Sequence, residues 1–171
     1  MSLEMKLTYD DRENTKQLFS EFLALLLDQD ENFRKYMALQ NYDDELNSLR
    51  EKYGPPMGRF YIAYWDGQAA GCIAFTQSSE TECEMKRLYV KPAFRGRGIG
   101  KKLVEQILRD AREIGYQAMV LETIPAFKEA IRIYQDLGFF KIPKFRDGPL
   151  SYTIFMKLNL QQGGKTDVSG D

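Results

Sequence analysis

Leu88-Tyr89-Val90-Lys91-Pro92-Ala93-Phe94-Arg95-Gly96-Arg97-Gly98-Ile99-Gly100-Lys101-Lys102 is the stretch on which the fold turns. Its first three residues close a segment that begins at Cys83, after the polar stretch Gln77 to Glu82, and reads as a strand. From Lys101 onward Leu103, Val104, Ile107, Leu108, Ala111 and Ile114 recur at helical spacing, and Gly115 supplies the stop. Between strand and helix, Gly96, Gly98 and Gly100 take β-carbons out of the turn. Successive N–H groups can then approach an anion at the positive end of the helix dipole.

The same window holds seven basic residues, Lys86, Arg87, Lys91, Arg95, Arg97, Lys101 and Lys102, and no acidic one from Lys86 to Lys102. Charge alone reads as a solvated face; the glycines shift the reading to a phosphate cradle. Two better-known phosphate loops do not fit. A nucleotide P-loop requires glycine where Arg95 stands and Ser or Thr where Lys102 stands. A dinucleotide fingerprint requires its third glycine at Lys101 and an early βαβ unit.

Working outward, Leu18, Phe19, Phe22, Leu23, Leu25, Leu26 and Leu27 predict a helix over 13–28 with a broad apolar face, and a second helix is predicted from Asp43 to Tyr53, ended by Gly54-Pro55-Pro56. Phe60 to Trp65 and Ala69 to Thr76 flank Asp66-Gly67 and read as a β-hairpin. Met119 to Ile124 is an apolar run without alternation, as in a central strand covered on both faces. Pro125 ends it, Ala126 to Leu137 reads as a helix closed by Gly138, and a half-buried strand is expected over 150–158, after a loop containing Pro143 and Gly148-Pro149. Met1-Ser2-Leu3 followed by Glu4-Met5 has the form of a cloning scar before a native start and is left out of the fold reading. One domain over 1–160 and a disordered tail over 161–171 are expected.

The 171 residues carry 24 Lys and Arg against 25 Asp and Glu, so any anion site is local and bulk attraction for nucleic acid or anionic lipid is not expected. No apolar run approaches the about eighteen residues that span a bilayer, and no secretory signal opens the chain, so a cytoplasmic location is the default. Cys72 and Cys83 read as small buried hydrophobes. There is no histidine, which removes Ser-His-Asp and Cys-His catalysis and nearly every transition-metal site; no metal is expected.

Arg95-x-x-Gly98-x-Gly100 resembles the Arg/Gln-x-x-Gly-x-Gly/Ala signature of the GNAT superfamily of acyl-CoA-dependent N-acyltransferases. Leu88-Tyr89-Val90-Lys91-Pro92 looks like the end of that family's fourth strand, and Glu129 to Phe139 looks like its second cofactor-contacting helix and the strand after it. The order of elements agrees from about residue 5 to 160. The resemblance implies an α/β fold with a mixed, mostly antiparallel sheet, splayed central strands and flanking helices. It implies acetyl-CoA as co-substrate and an amine acceptor, either a small molecule or a peptide or protein amine, and it leaves a homodimer open. The backbone of Leu88, Tyr89 and Val90 would line the pantetheine arm, with Leu88 and Val90 pairing to it as an added strand. The amides of Arg95, Gly96, Arg97, Gly98, Ile99, Gly100 and Lys101 would hold the pyrophosphate, with Arg95 and Arg97 assisting by charge. One departure stands out: Phe127 occupies a position where many members carry Asn.

Acyl transfer needs a neutral amine and a stabilised or protonated thiolate. The resemblance places Tyr134 beside the sulfur, and its phenol, of ordinary pKa near 10, is expected to donate its proton to a thiolate whose thiol has a pKa of about 8.5; its alternative is a core aromatic sharing a helix face with Ala130, Ile131 and Leu137. An unperturbed lysine-type amine is neutral at pH 7 only about once in 2,500 molecules, so a base matters. Glu84, on the strand that ends at Val90, stands where some members place a carboxylate; its alternative is a solvent-facing strand residue beside Lys86. The acceptor side is expected to be built by the first two helices and the loop Gly54 to Arg59. Two other classes stay open at this point, a non-catalytic acyl-CoA-binding or sensor domain and a nucleic-acid patch stacking on Tyr89 and Phe94.

Overall fold

The computed structural model describes residues 2–28, 42–146 and 152–160. Its centre is a seven-stranded sheet in the order β1-β2-β3-β4-β5-β7-β6, with β1 Leu3–Leu7, β2 Arg59–Trp65, β3 Gln68–Gln77, β4 Glu82–Val90, β5 Ala118–Thr123, β6 Phe140–Ile142 and β7 Ile154–Asn159. Every neighbouring pair is antiparallel except β4 and β5. The helices are α1 Arg12–Leu27, α2 Tyr42–Asn47, α3 Leu49–Tyr53, α4 Ile99–Ile114 and α5 Lys128–Asp136.

The hairpin forms where the sequence places it. Asp66 and Gly67 take φ of 49° and 84°, the left-handed pair that matches the twist of two strands joined by a two-residue turn. Helix α1 starts because the Asp11 carboxylate accepts the Asn14 N–H at 3.2 Å, filling one of the donors that a helix start leaves open. Helix α4 ends at Gly115, whose φ of 108° turns the chain while its amide reaches Ala111 and Arg112 oxygens at 3.1 Å.

The two faces of the sheet bury different helices. Leu103, Val104 and Ile107 of α4 are fully buried with Ile73, Phe75, Cys83 and Met85, at about 1.5–3 kcal/mol for each large apolar side chain removed from water. On the other face Leu18 and Phe19 of α1 and Tyr53 of α3 pack on Phe60, Ile62 and Cys72.

Some expectations change. Leu3, the last residue of the expected scar, opens an unexpected edge strand, Leu3–Leu7, that pairs antiparallel with β2, Leu3 opposite Trp65 and Leu7 opposite Tyr61. The single helix expected from Asp43 to Tyr53 is broken at Ser48, which has φ −123° and ψ 31° and turns its hydroxyl back to the Asp44 carbonyl at 2.7 Å. The expected final strand begins only at Ile154; Tyr152 is exposed ahead of it, and Gly148-Pro149, Leu150 and the tail 161–171 lie outside the described residues. No described helix is long and apolar enough to cross a membrane.

Two irregularities of β4 shape everything that follows. β4 pairs Lys86 with Ala74 and Tyr89 with Cys72, so Arg87 and Leu88 together face Ile73, and Arg87 takes the left-handed φ of 65°. The extra residue changes the phase of the strand. Cys83 and Met85 point to the α4 face and so do Leu88 and Val90, whereas Arg87 and Tyr89 point to the α1 face. Arg87 is held there by Glu45 of α2, which accepts from Arg87 Nε and Nη2 at 2.9 Å each, from Tyr53 at 2.7 Å and from Lys52 at 2.5 Å. Secondly, β4 and β5 pair only through Glu82–Ala118, Cys83–Met119 and Glu84–Val120, after which the two strands part.

Candidate active site

The parting of β4 and β5 opens a cleft. Lys91 donates its N–H to Ala70 at 2.8 Å and Tyr89 pairs with Cys72, so alternate residues turn their main-chain groups to β3. Leu88 and Val90 therefore aim theirs into the gap, and the Val90 carbonyl accepts there from Arg95 Nε at 3.0 Å.

The glycine turn closes one end of this cleft. Gly96 and Gly98 take φ of 81° and 75°, and a β-carbon on either would meet nothing within 4 Å, so the backbone conformation itself is what requires glycine. Gly100 has a different reason: its β-carbon would lie 3.1 Å from Ile133 Cδ1, so its absence lets α4 approach α5. The first internal hydrogen bond of α4 runs from Lys102 N to Gly98 O, at 3.1 Å, which leaves the amides of Ile99, Gly100 and Lys101 ahead of it without a helical acceptor. Among the described residues no backbone acceptor faces the amides from Gly96 to Lys101. These donors, at the positive end of a sixteen-residue helix, fit a diphosphate.

The cleft of about 430 Å³ beside them is lined by Leu88, Tyr89, Val90, Arg95, Gly96, Gly98, Ile99, Gly100 and Lys101, with Phe22, Phe127, Ala130 and Ile133 opposite. Arg97 is the one expected cofactor residue outside this lining; its guanidinium lies over Trp65 at 4.8 Å and over Phe94 at 5.5 Å. The Tyr89 hydroxyl is turned to Glu21 at 3.0 Å, and burial together with that carboxylate pushes its pKa up to about 12. Phe127 brings an apolar ring to the wall, 6.3 Å from Phe22, and no polar group.

A second cavity, of about 120 Å³, continues past Leu88, sharing Phe22, Leu88, Phe127 and Ala130 with the first. Tyr134 and Glu84 both line it. Tyr134 is buried against Phe139, with ring centroids 5.7 Å apart, and burial raises its pKa. Its hydroxyl has no hydrogen-bond partner among the described residues, and since no fully buried polar atom there lacks one, the hydroxyl opens onto the cavity. Glu84 is 7% exposed, not solvent-facing, and is ion-paired with Arg146. Arg146 also stands 3.9 Å from Glu122 of β5, whose pKa burial raises.

Arg146 and Glu122 escape the sequence reading. Arg146 sits between β6 and β7 with no motif around it, and Glu122 is one charge inside a run that reads as buried strand. The loop Gly54 to Arg59 lines neither cavity; Tyr116 ties it to the opposite face by a 2.7 Å bond to the Met57 carbonyl. The basic run does not form one patch: Arg87 is paired with Glu45, Lys91 with Glu21 at 3.6 Å, and Arg97 rests on Trp65.

The acetyltransferase (GNAT) family model matches residues 19–139. An uncharacterised N-acetyltransferase of Schizosaccharomyces pombe is 34% identical over 154 residues, covering 89% of this chain and 90% of that protein. One from Dictyostelium discoideum is 30% identical over 216 residues, covering 90% and 96%. Among solved structures, the PaiA N-acetyltransferase of Thermoplasma acidophilum in complex with coenzyme A superposes with a TM-score of 0.74 at 20% identity, covering 93% of this chain and 99% of that one. With the glycine turn, the parted strands and these relatives in place, the chain belongs to the GNAT family of acetyltransferases.

Proposed function

We propose that the protein transfers an acetyl group from acetyl-CoA to a primary amine by direct attack of the neutral amine on the thioester. The observation that carries the reading is that one cleft runs from the unpaired amides of the glycine turn, along the free edge of Leu88 and Val90, to Glu84 and Tyr134. A CoA-bound relative of the same fold supports acetyl-CoA as the co-substrate. The pyrophosphate would rest on the amides from Gly96 to Lys101, and the pantetheine would follow β4 as an added strand. The thioester would then lie where the two cavities meet, between Leu88, Phe127 and Ala130.

In the reaction an ammonium loses one proton, the C–N bond forms, the C–S bond breaks and a second nitrogen proton leaves as the sulfur gains one. Glu84, close enough to the cavity to accept through water, is the base. Tyr134 serves the leaving sulfur by hydrogen bonding. Full donation from a phenol of ordinary pKa 10 to a thiolate of 8.5 is uphill by about 2 kcal/mol, and burial of Tyr134 raises that cost. A neutral phenol that keeps its proton while stabilising the thiolate avoids it.

The test is CoA-thiol release from acetyl-CoA with an amine panel, together with a thermal-shift titration with CoA. Thiol release that depends on the amine is expected; CoA that leaves the melting temperature unchanged would remove the assignment.

A further inference from the structure

The charges around the second cavity do not balance, and Lys86 marks the imbalance. Lys86 lines the cavity midway between Glu84 and Leu88. Among the described residues the charged groups that act on it are two carboxylates, Glu84 and Glu122, and three cations, Arg87, Lys52 and Arg146, so that with Glu45 three carboxylates face four cations. Glu84 is committed to Arg146, and Glu45 is committed to Arg87 and Lys52. Among the described residues Lys86 has no hydrogen bond or ion pair, and because no fully buried polar side-chain atom there lacks a partner, its ammonium opens onto the cavity. Burial and the neighbouring cations lower its pKa, so a lone charge is held there at a cost that an incoming anion would relieve.

Resting on the acetyl-transfer reading above, we infer that the acceptor is an amine that carries its own carboxylate, an amino acid or a small derivative of one, with the carboxylate on Lys86 and the amine toward Glu84. Lys86 and Glu84 stand two residues apart on the part of β4 that precedes the bulge and lie on the same face, so one short acceptor can reach both. Phe22, Leu26, Ile124 and Phe127 give the wall an apolar stretch against which an apolar side chain could rest, beside the polar Glu122, Thr123 and Thr153.

The experiment compares glycine, leucine and phenylalanine with methylamine, 3-methylbutylamine and 2-phenylethylamine, which lack only the carboxylate. The parent protein is expected to favour at least one amino acid over its amine by about 10-fold or more in kcat/KM, the scale of one charge-assisted hydrogen bond. Lys86→Met is expected to erase that preference by raising KM for the amino acid, leaving KM for the amine and the Kd for CoA in place, whereas Lys86→Arg retains it. Equal use of both members of every pair, or a preference that survives in Lys86→Met, overturns the inference. Transfer to the bare amines alone also overturns it while leaving acetyl transfer standing; a parent protein that does not bind CoA removes the underlying reading instead.

Discussion

Gly98 and Gly67 form a natural matched pair for testing the phosphate cradle. Both have a left-handed backbone, with φ of 75° and 84°, and in both a β-carbon would meet nothing within 4 Å. Alanine at either site therefore brings the same penalty, about 1–2 kcal/mol for placing an L-residue in this region, with no steric clash. At Gly67 the penalty falls on a hairpin of fourteen described backbone partners in register from Arg59 to Phe75, so it is expected as lost global stability. At Gly98 it falls on an exposed turn in which, among the described residues, the one backbone bond made from Gly96 to Gly98 is that of the Gly98 carbonyl with Lys102, so the turn relaxes and the amides lose their alignment. Isothermal titration with CoA should show Gly98→Ala weakened by about 5- to 30-fold, the equivalent of that penalty, and Gly67→Ala unchanged. Thermal melts should show the reverse order. If Gly98→Ala binds CoA like the parent protein, the left-handed turn is not what organises the anion site and the cradle argument fails.

Tyr134→Phe should lower kcat by about 100-fold or more with little change in melting temperature, because the hydroxyl has no partner to lose among the described residues; unchanged turnover rules out the leaving-group role. Gly71→Ala should cost about 1–3 kcal/mol in denaturant melts, since its β-carbon would stand 2.6 Å from the Tyr89 carbonyl and force β3 from β4; a neutral result would mean the strands separate freely there. Glu45 has its pKa lowered: burial works against this, but Arg87 first, then Lys52 and Tyr53, outweigh it. Its stabilising contribution is therefore complete above the ordinary carboxylate value of 4.5 and is lost as pH falls below that value toward the lowered one. Glu45→Gln should remove this part of the acid sensitivity in melts between pH 3 and 7, measured against the parent, and parallel curves would refute it.

The sequence spoke clearly where local rules act alone. Asp66-Gly67, Gly115 and the apolar spacing of α4 each depend on a few neighbouring residues, and each stands where the spacing predicts. β4 shows the limit. Strict alternation from Cys83 would put Arg87 and Tyr89 on the face of Cys83 and Met85, but the bulge reverses the phase, and nothing local to Arg87 announces it. What holds the bulge is Glu45, forty-two positions away, so the cause is tertiary. The candidate site divides in the same way. The glycine turn and Tyr134 are legible from spacing and resemblance, whereas Glu84 is joined by Arg146 and Glu122 only because three separate strands and loops converge. The opening strand was hidden for a simpler reason: Leu3–Leu7 is short, half exposed and without a turn signal before it.

The brief ladder between β4 and β5 means the sheet is two leaves stitched at one end. Beyond Glu84 and Val120 the stitching stops, and the rungs that would continue it are the backbone groups left facing the gap. On the proposed reading, a co-substrate laid along Leu88 and Val90 would supply the missing thread, and loading the site would stiffen the sheet. Release of the product CoA would then open the same seam again.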